Sequence, residues 1–314
     1  MDGSSPPAVS VVLTIDYDAG SEIAWQQLRD SVAALAGQDF DEPFEVIYVE
    51  DKRYANQIPK DLTEILPSLK VILSDRRAAY GLIYEGVEAA RGSLVGTIDG
   101  DCIAAPDWVR RFVTALRVDP TAAAVSGRTS YGDGPLFARC CALLQRAATR
   151  QAADRTLSFV TNNNGAFRRE VYLKHPIPED AGAFGTGLQG FDLIDGGYRL
   201  LYDDDMAVVH AHPGWQFEKD VHLHSGYNGI RTRKLRANQP RAWLLRLGYL
   251  AVPILIMGRI VKSWWTCLLN YRSYGVAWYE LPAAMVVGIA VEALEAPGMV
   301  RAIRGDPMPE TRFR

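Results

Sequence analysis

Between Val9 and Ser126 the chain alternates short apolar runs with longer stretches whose apolar residues recur at helical spacing. A run of about five apolar residues bounded by turn residues reads as a buried strand, and apolar positions three and four apart read as one face of a helix. Val9 to Leu13 is strand-like, Glu22 to Leu35 helix-like, and Phe44 to Val49 strand-like, ending at Glu50-Asp51. Leu62 to Leu69 follows as a short helix, Val71 to Leu73 as a strand, Ala79 to Ala90 as a helix and Leu94 to Ile98 as a strand. A helix opened by Pro106-Asp107-Trp108 runs to Leu116, with proline near its first turn, and Ala122 to Ser126 is the next strand. This order predicts an α/β fold, a mostly parallel sheet covered by helices, with ligands bound at the carboxyl ends of the strands.

Asp16, Asp51, Asp99 and Asp101 all fall at such ends. Acids gathered at one edge of a sheet repel one another unless a cation or the donors of a ligand offset them. In Asp99-Gly100-Asp101 the glycine lets the backbone approach a ligand closely while both carboxylates converge. Hard oxygen donors of this kind suit Mg²⁺ or Mn²⁺, which pair one or two carboxylates with substrate phosphates. Alone, Asp-Gly-Asp is also an ordinary polar turn; its place in a series of acidic strand ends favours the metal reading.

A chain of 314 residues, 48% of them hydrophobic, can bury a large core as one big domain or two ordinary ones. Its net charge of -3 argues against nucleic acid as a main partner. Cys102, Cys140, Cys141 and Cys267 show no metal-ligand spacing, which points to a reducing compartment. Met1 to Pro7 is short, polar and proline-bearing, unlike a signal peptide, so a cytosolic start is expected. Phe137 to Arg155 reads as a helix with cationic and apolar faces. From Thr161 to Glu170, three asparagines before Gly165, then Arg168 and Arg169, suggest an irregular loop rich in hydrogen-bonding groups.

In order and spacing these pieces resemble the family 2 glycosyltransferases, which have the GT-A fold. The matching residues are Val9 to Leu13, Val49-Glu50-Asp51, Ala89-Ala90-Arg91-Gly92 running into Ile98 to Asp101, and Pro106-Asp107-Trp108. Asn164-Gly165-Ala166-Phe167-Arg168-Arg169, Gly197-Tyr198-Arg199-Leu200 and Val208-Val209-His210 extend the likeness over roughly two-thirds of the chain. The resemblance implies a donor site for a UDP- or GDP-sugar. Thr14, Asp16 and Asp51 would hold the base and ribose, Asp99 would lie near the ribose and sugar, and Asp101 would bind the metal. His210 would approach the metal from the far side, with His212 an equally placed competitor. Asn164, Gly165 and Arg168 would belong to the acceptor loop.

Some features depart from the family pattern. Many relatives carry a Glu-Asp pair at the start of the helix before Gly-Tyr-Arg, and its aspartate deprotonates the acceptor; an ungapped count places Gly185-Thr186 there. A threonine hydroxyl cannot act as that base at neutral pH. Asp180, with Glu179 beside it, is the favoured substitute, and Asp192 is the other candidate. The arginine that often touches the diphosphate has no clear counterpart, although Arg76 or Arg77 is available.

From Arg231 onward, arginines and lysines, tryptophans and tyrosines surround two apolar runs, Leu247 to Gly258 and Leu281 to Val291, each shorter than a bilayer span. That mixture suits an anionic membrane surface. The expected organisation is a GT-A domain over 1-230 and a helical, membrane-associating region over 231-314, with two or three interfacial or re-entrant helices between 240 and 300. A packed helical extension or a homo-oligomer interface is the alternative. The expected activity is inverting, metal-dependent transfer to a glycan or lipid-linked acceptor at the cytoplasmic face of the membrane. Two rivals remain. One is a non-catalytic sugar-nucleotide-binding or scaffold protein. The other is a nucleotidyltransferase, which usually needs a glycine-rich basic loop that Thr14 to Ser21 lacks.

Overall fold

The computed structural model describes residues 7–150, 157–212, 214–236 and 238–314. Eight strands form one sheet: β1 (Val9–Thr14), β2 (Phe44–Asp51), β3 (Lys70–Ser74), β4 (Leu94–Asp99), β5 (Cys102–Ala104), β6 (Ala122–Ser130), β7 (Gly165–Arg168) and β8 (Arg199–His210). Their order is β3-β2-β1-β4-β7-β6-β8-β5. β1 pairs in parallel with β2 and β4, β2 with β3, and β6 with β8, while β7 runs antiparallel between β4 and β6 and β5 runs antiparallel along β8. The helices are α1 (Glu22–Ala36), α2 (Leu62–Ile65), α3 (Ala79–Ala89), α4 (Trp108–Val118), α5 (Leu136–Arg150), α6 (Arg169–Lys174), α7 (Thr186–Asp195), α8 (Trp215–Leu235), α9 (Ala251–Asn270), α10 (Leu281–Ala293) and α11 (Ala296–Arg304).

Both faces of the sheet are covered. Trp25, Leu28, Val32 and Leu35 of α1, with Trp108, Phe112 and Leu116 of α4, fill one side. Leu82, Ile83 and Val87 of α3, Tyr172 of α6 and Leu193 of α7 fill the other. Ser21 caps α1 by accepting a bond from the Ala24 amide at 3.1 Å, which satisfies one of the free donors at that helix end. Sheet and helices follow the alternation read from the sequence.

Three expectations need correction, and a fourth lies partly outside the described residues. The helix expected over Leu62 to Leu69 stops at Ile65, because Leu66 is extended and Pro67 cannot continue it. The stretch read as an irregular loop at 161–170 holds a 3-10 turn at Asn162–Asn164, the interior strand β7 and the start of α6. α5 begins at Leu136, and positions 151–155 of the helix expected there lie outside the described residues. The two C-terminal apolar runs belong to longer helical stretches, Ala242–Tyr274 and Trp278–Arg304, each long and apolar enough by composition to cross a bilayer.

Those C-terminal helices pack against the rest of the molecule. α9 and α10 close on α5 through Cys140, Leu143, Cys267 and Ala284, and α9 and α11 close on α8 through Ile230, Leu255 and Met299. Position 230, where the sequence places a domain boundary, lies inside α8. After α11 the chain returns to the carboxyl edge of the sheet, where Phe313 bridges Tyr17 and the Arg314 amide donates to the Asp16 carbonyl at 3.0 Å.

Candidate active site

The Asp99-Gly100-Asp101 turn links the end of β4 to β5. Its position is fixed from two sides. Thr14 pairs with Asp99 at the ends of β1 and β4, and the Gly100 amide donates to the Thr14 carbonyl at 2.7 Å. A β-carbon at Gly100 would stand 2.9 Å from the Ile15 side chain, so the turn takes only glycine without rearrangement. On the other side Cys102 lies opposite His210 in the β5–β8 ladder, and the Ala211 amide donates to the Asp101 carbonyl at 2.9 Å. The antiparallel return of β8 therefore carries His210 to Asp101, where Nε2 is 3.7 Å from a carboxylate oxygen.

Asp16, Asp99 and Asp101 are crowded together in a buried setting. Burial, and then the charges of Asp16 and Asp101, push the Asp99 carboxyl well up. Burial also pushes Asp101 up to about 7, and burial followed by the Asp101 charge pushes Asp16 up to about 6. His210 moves the opposite way, down to about 4, through burial and the Arg146 charge, so its imidazole is neutral at physiological pH. Its Nδ1 lies 2.5 Å from the Ala211 carbonyl, which leaves Nε2 toward Asp101. Ligand atoms of Asp99, Asp101, Cys102 and His210 all lie within 4.8 Å of one another. Burial holds the Cys102 thiol protonated, leaving two carboxylates and a neutral imidazole as the effective donors. That set fits a divalent cation of the Mn²⁺ or Mg²⁺ kind, whose charge would offset the crowded acids.

These residues open into a cavity of about 660 Å³ lined by Asp16, Asp99 and His210 at one end. Tyr80 and Ile83 of α3, Arg146 of α5, Asn162 and Asn163, Thr186 and Phe217 continue the wall, and Phe313 and Arg314 close over it. The side-chain oxygens of Asn162 and Asn163 and the Thr14 hydroxyl are buried without a hydrogen-bond partner among the described residues. Buried polar atoms are normally paired, so these three await a ligand or water. Arg314 forms an ion pair with buried Glu50 and lies over the Tyr54 ring at 5.1 Å.

The comparisons with known proteins decide the family. The family model "Glycosyl transferase family 2" matches residues 19–175, half of the chain. The chain belongs to glycosyl transferase family 2. It is 22% identical to glycosyltransferase AglE of Haloferax volcanii over 228 residues, covering 68% of this chain and 69% of that protein. The mannosyltransferase PcManGT from Pyrobaculum calidifontis, solved with GDP-Man and Mn²⁺, superposes with a TM-score of 0.61 at 17% identity, over 95% of this chain and 88% of the other. The protein is a glycosyltransferase.

As a family 2 enzyme it places its remaining site candidates as follows. Asp51 stays apart from the other three acids: Arg53 bonds it through both backbone (2.8 Å) and guanidinium (2.7 Å). Asn164 is built into the sheet, accepting from Trp108 Nε1 at 2.8 Å and donating to the carbonyls of Arg128 and Met206, and Gly165 starts β7. Arg168 donates to the carbonyls of Leu116, Asp119 and Ala122, closing the end of α4 and not the cavity. His212 bonds Glu218 at 2.8 Å, so of the two histidines only His210 faces Asp101.

Thr186 begins α7 and lines the cavity, where many family members carry the acceptor base. None of Glu179, Asp180 and Asp192 lines it. Glu179 pairs with Arg76, Asp180 with Arg231 at 2.8 Å, and Asp192 with Arg236 at 2.7 Å. Sequence reasoning missed Tyr80, Arg146, Asn162, Asn163 and Arg314. The asparagines sat inside a motif already singled out, and Arg146 was a cation on a half-apolar helix, but nothing local marked Arg314.

Proposed function

We propose that this glycosyltransferase is metal-dependent and inverting, and that it moves a sugar from a UDP- or GDP-sugar to a hydroxyl of a lipid-linked or envelope glycan at the cytoplasmic membrane surface. The observation that carries the reading is the convergence of Asp99, Asp101 and neutral His210, of which Asp99 and His210 line the cavity. These three would hold Mn²⁺ or Mg²⁺, which as a Lewis acid would neutralise charge on the leaving diphosphate. The GDP-Man and Mn²⁺ bound by the Pyrobaculum mannosyltransferase support this donor chemistry.

The chain's own residues supply the rest. Arg146, lining the same cavity, adds a fixed positive charge toward the diphosphate, and Asn162 and Asn163 offer polar groups to the sugar hydroxyls. As the acceptor oxygen bonds to the anomeric carbon, the carbon's bond to the diphosphate oxygen breaks and the nucleoside diphosphate leaves. The acceptor proton passes to a carboxylate. Asp180 is our assignment: it lies two residues from cavity-lining Gly182 and its side chain is 72% exposed. An exposed ion pair of this kind contributes about 0–1 kcal/mol, so its release from Arg231 costs little.

A screen of UDP- and GDP-sugars with Mn²⁺, read by nucleotide release, tests the donor assignment, and the anomeric configuration of the product tests inversion. Failure of both UDP and GDP to bind in Mn²⁺ would rule out the donor site.

A further inference from the structure

Away from the aspartates, the same cavity is lined by several cations and by Glu292, which Arg259 pairs. Phe217, Val221, His222, Ser225 and Arg233 of α8 all line it, so the cavity runs along that helix. Phe217 stands beside His210, their rings 5.9 Å apart, and Arg233 lies sixteen residues further on. At 1.5 Å per residue their backbone positions are about 24 Å apart along the helix.

Arg233, Arg241 and Lys262 also line the cavity. Among the described residues no carboxylate lies within 4.0 Å of any of them, in contrast to neighbouring Arg231, Arg236 and Arg259, which are all paired. Burial and the charges of Arg259 and Arg241 hold the Arg233 guanidinium below its ordinary value. Its Nε and Nη1 bond the carbonyls of Pro240 and Gly229 at 3.1 and 2.7 Å, which fixes its orientation. Arg241 is held with φ +64°, and its guanidinium lies against the α-carbon of Gly258, where any β-carbon would collide with it. The left-handed region is uncommon for a non-glycine residue, and here it sets the direction in which the Arg241 side chain leaves the backbone. α9 and the turn before it expose Leu250, Ile254, Met257, Val261 and Trp265.

We propose that Arg233, Arg241 and Lys262 seat the phosphate or diphosphate of a lipid-carried acceptor, whose glycan runs along α8 to the donor site. This rests on the acceptor reading above and sharpens it. Arginine forks recognise phosphate through paired, charge-assisted bonds. With the backbone positions of Phe217 and Arg233 about 24 Å apart along α8, an acceptor held at this seat would reach the donor site through an intervening glycan, so the proposed acceptor is a glycan already on its carrier and not the carrier phosphate itself.

The test uses the full chain in EDTA, which removes metal-dependent diphosphate binding at the donor site, and measures farnesyl diphosphate by calorimetry. Wild type should bind it at least tenfold more tightly than inorganic diphosphate or farnesol, and the double variant Arg233→Gln/Arg241→Gln should lose at least tenfold. The variant should keep wild-type GDP or UDP binding in Mn²⁺, which establishes that it is folded with an intact donor site. Equal farnesyl diphosphate binding by variant and wild type would overturn the seat. Inorganic diphosphate binding as tightly as the farnesyl compound would overturn the lipid carrier. Phosphatidylglycerol vesicles displacing the probe at equal phosphate concentration would reduce the site to a membrane contact, and glycosyl transfer onto farnesyl phosphate would overturn the spacing argument. Absence of nucleotide binding in wild type, with the farnesyl diphosphate result intact, would count against the donor reading alone.

Discussion

At the scale of single residues, the acids of the proposed donor site are crowded together at a cost to the protein. Asp16, Asp99 and Asp101 repel one another, and burial denies them water. Asp101→Asn should therefore lower Mn²⁺-dependent nucleotide affinity at least tenfold while leaving the metal-free melting temperature unchanged or a degree or more higher. Calorimetry and thermal unfolding in EDTA check the two halves. A large drop in metal-free stability would mean that the carboxylate is structural. Asp180→Asn makes a different claim: turnover should fall about 10²-fold or more, as loss of a general base does, with donor binding intact. Undiminished turnover would remove Asp180 from the mechanism.

Between elements, the join of α8 to α9 and α10 is ionic. Glu218 lies 3.4 Å from His222, His222 lies 3.6 Å from Glu295, Arg259 pairs with Glu295 and, at 2.8 Å, with Glu292, and Ser225 donates to Glu295. Burial works against charge on His222, but Glu218 and Glu295 outweigh it and push the imidazole up to about 9 from its ordinary 6.5. This contribution to stability is complete below pH 6.5 and is lost as pH rises through 9. Burial likewise opposes charge on Glu218, yet His212 and His222 pull it down to about 2 from 4.5, so its share is present above pH 4.5 and is lost as pH falls through 2. Breaking a buried pair by removing one partner costs about 3–5 kcal/mol, so His222→Gln should melt well below wild type near pH 6. The gap should narrow as pH approaches 9, and a gap independent of pH would mean that packing, not charge, holds the helices. Elements of this kind differ in how far sequence reveals them. Strands β1, β2 and β4 and helices α1, α3 and α4 are written in apolar spacing, and Asp99-Gly100-Asp101 marks itself. β7 was hidden because it starts at Gly165, directly after the 3-10 turn of three asparagines, and glycine favours turns in isolation but here pairs with β4 and β6. The approach of His210 to Asp101 depends on the β5–β8 register, and the return of Phe313 and Arg314 on tertiary contacts; neither has a local period to read.

For the molecule as a whole, the C-terminal helices have two faces with different partners. Their inner faces supply the cavity wall and the ionic join to α8. Outward, Leu250, Ile254, Met257, Val261, Trp265 and Leu268 recur at spacings of three and four and are all exposed. A sustained apolar stripe on this scale is unusual on a protein surface that meets only water. Because Ser225 and His222 of α8 hold Arg259 and Glu295, the membrane contact proposed above lays these helices along the surface, with the cationic end of the cavity beside the lipid. Deleting everything beyond Gln239 would expose the cores on α5 and α8, so it would not isolate the membrane contact. Substitution within the stripe does. Met257→Gln, Val261→Gln and Trp265→Gln together remove three side chains whose burial in lipid is worth roughly 1 kcal/mol or more each. The triple variant should lose at least tenfold in partition onto phosphatidylglycerol vesicles in a flotation assay, with nucleotide binding in Mn²⁺ unchanged. Raising the salt should weaken wild type further, because the attraction of the basic residues is screened. Flotation equal to wild type would move the stripe from a lipid contact to a contact between protein copies, which sedimentation of the same variant would register as a change in oligomeric state.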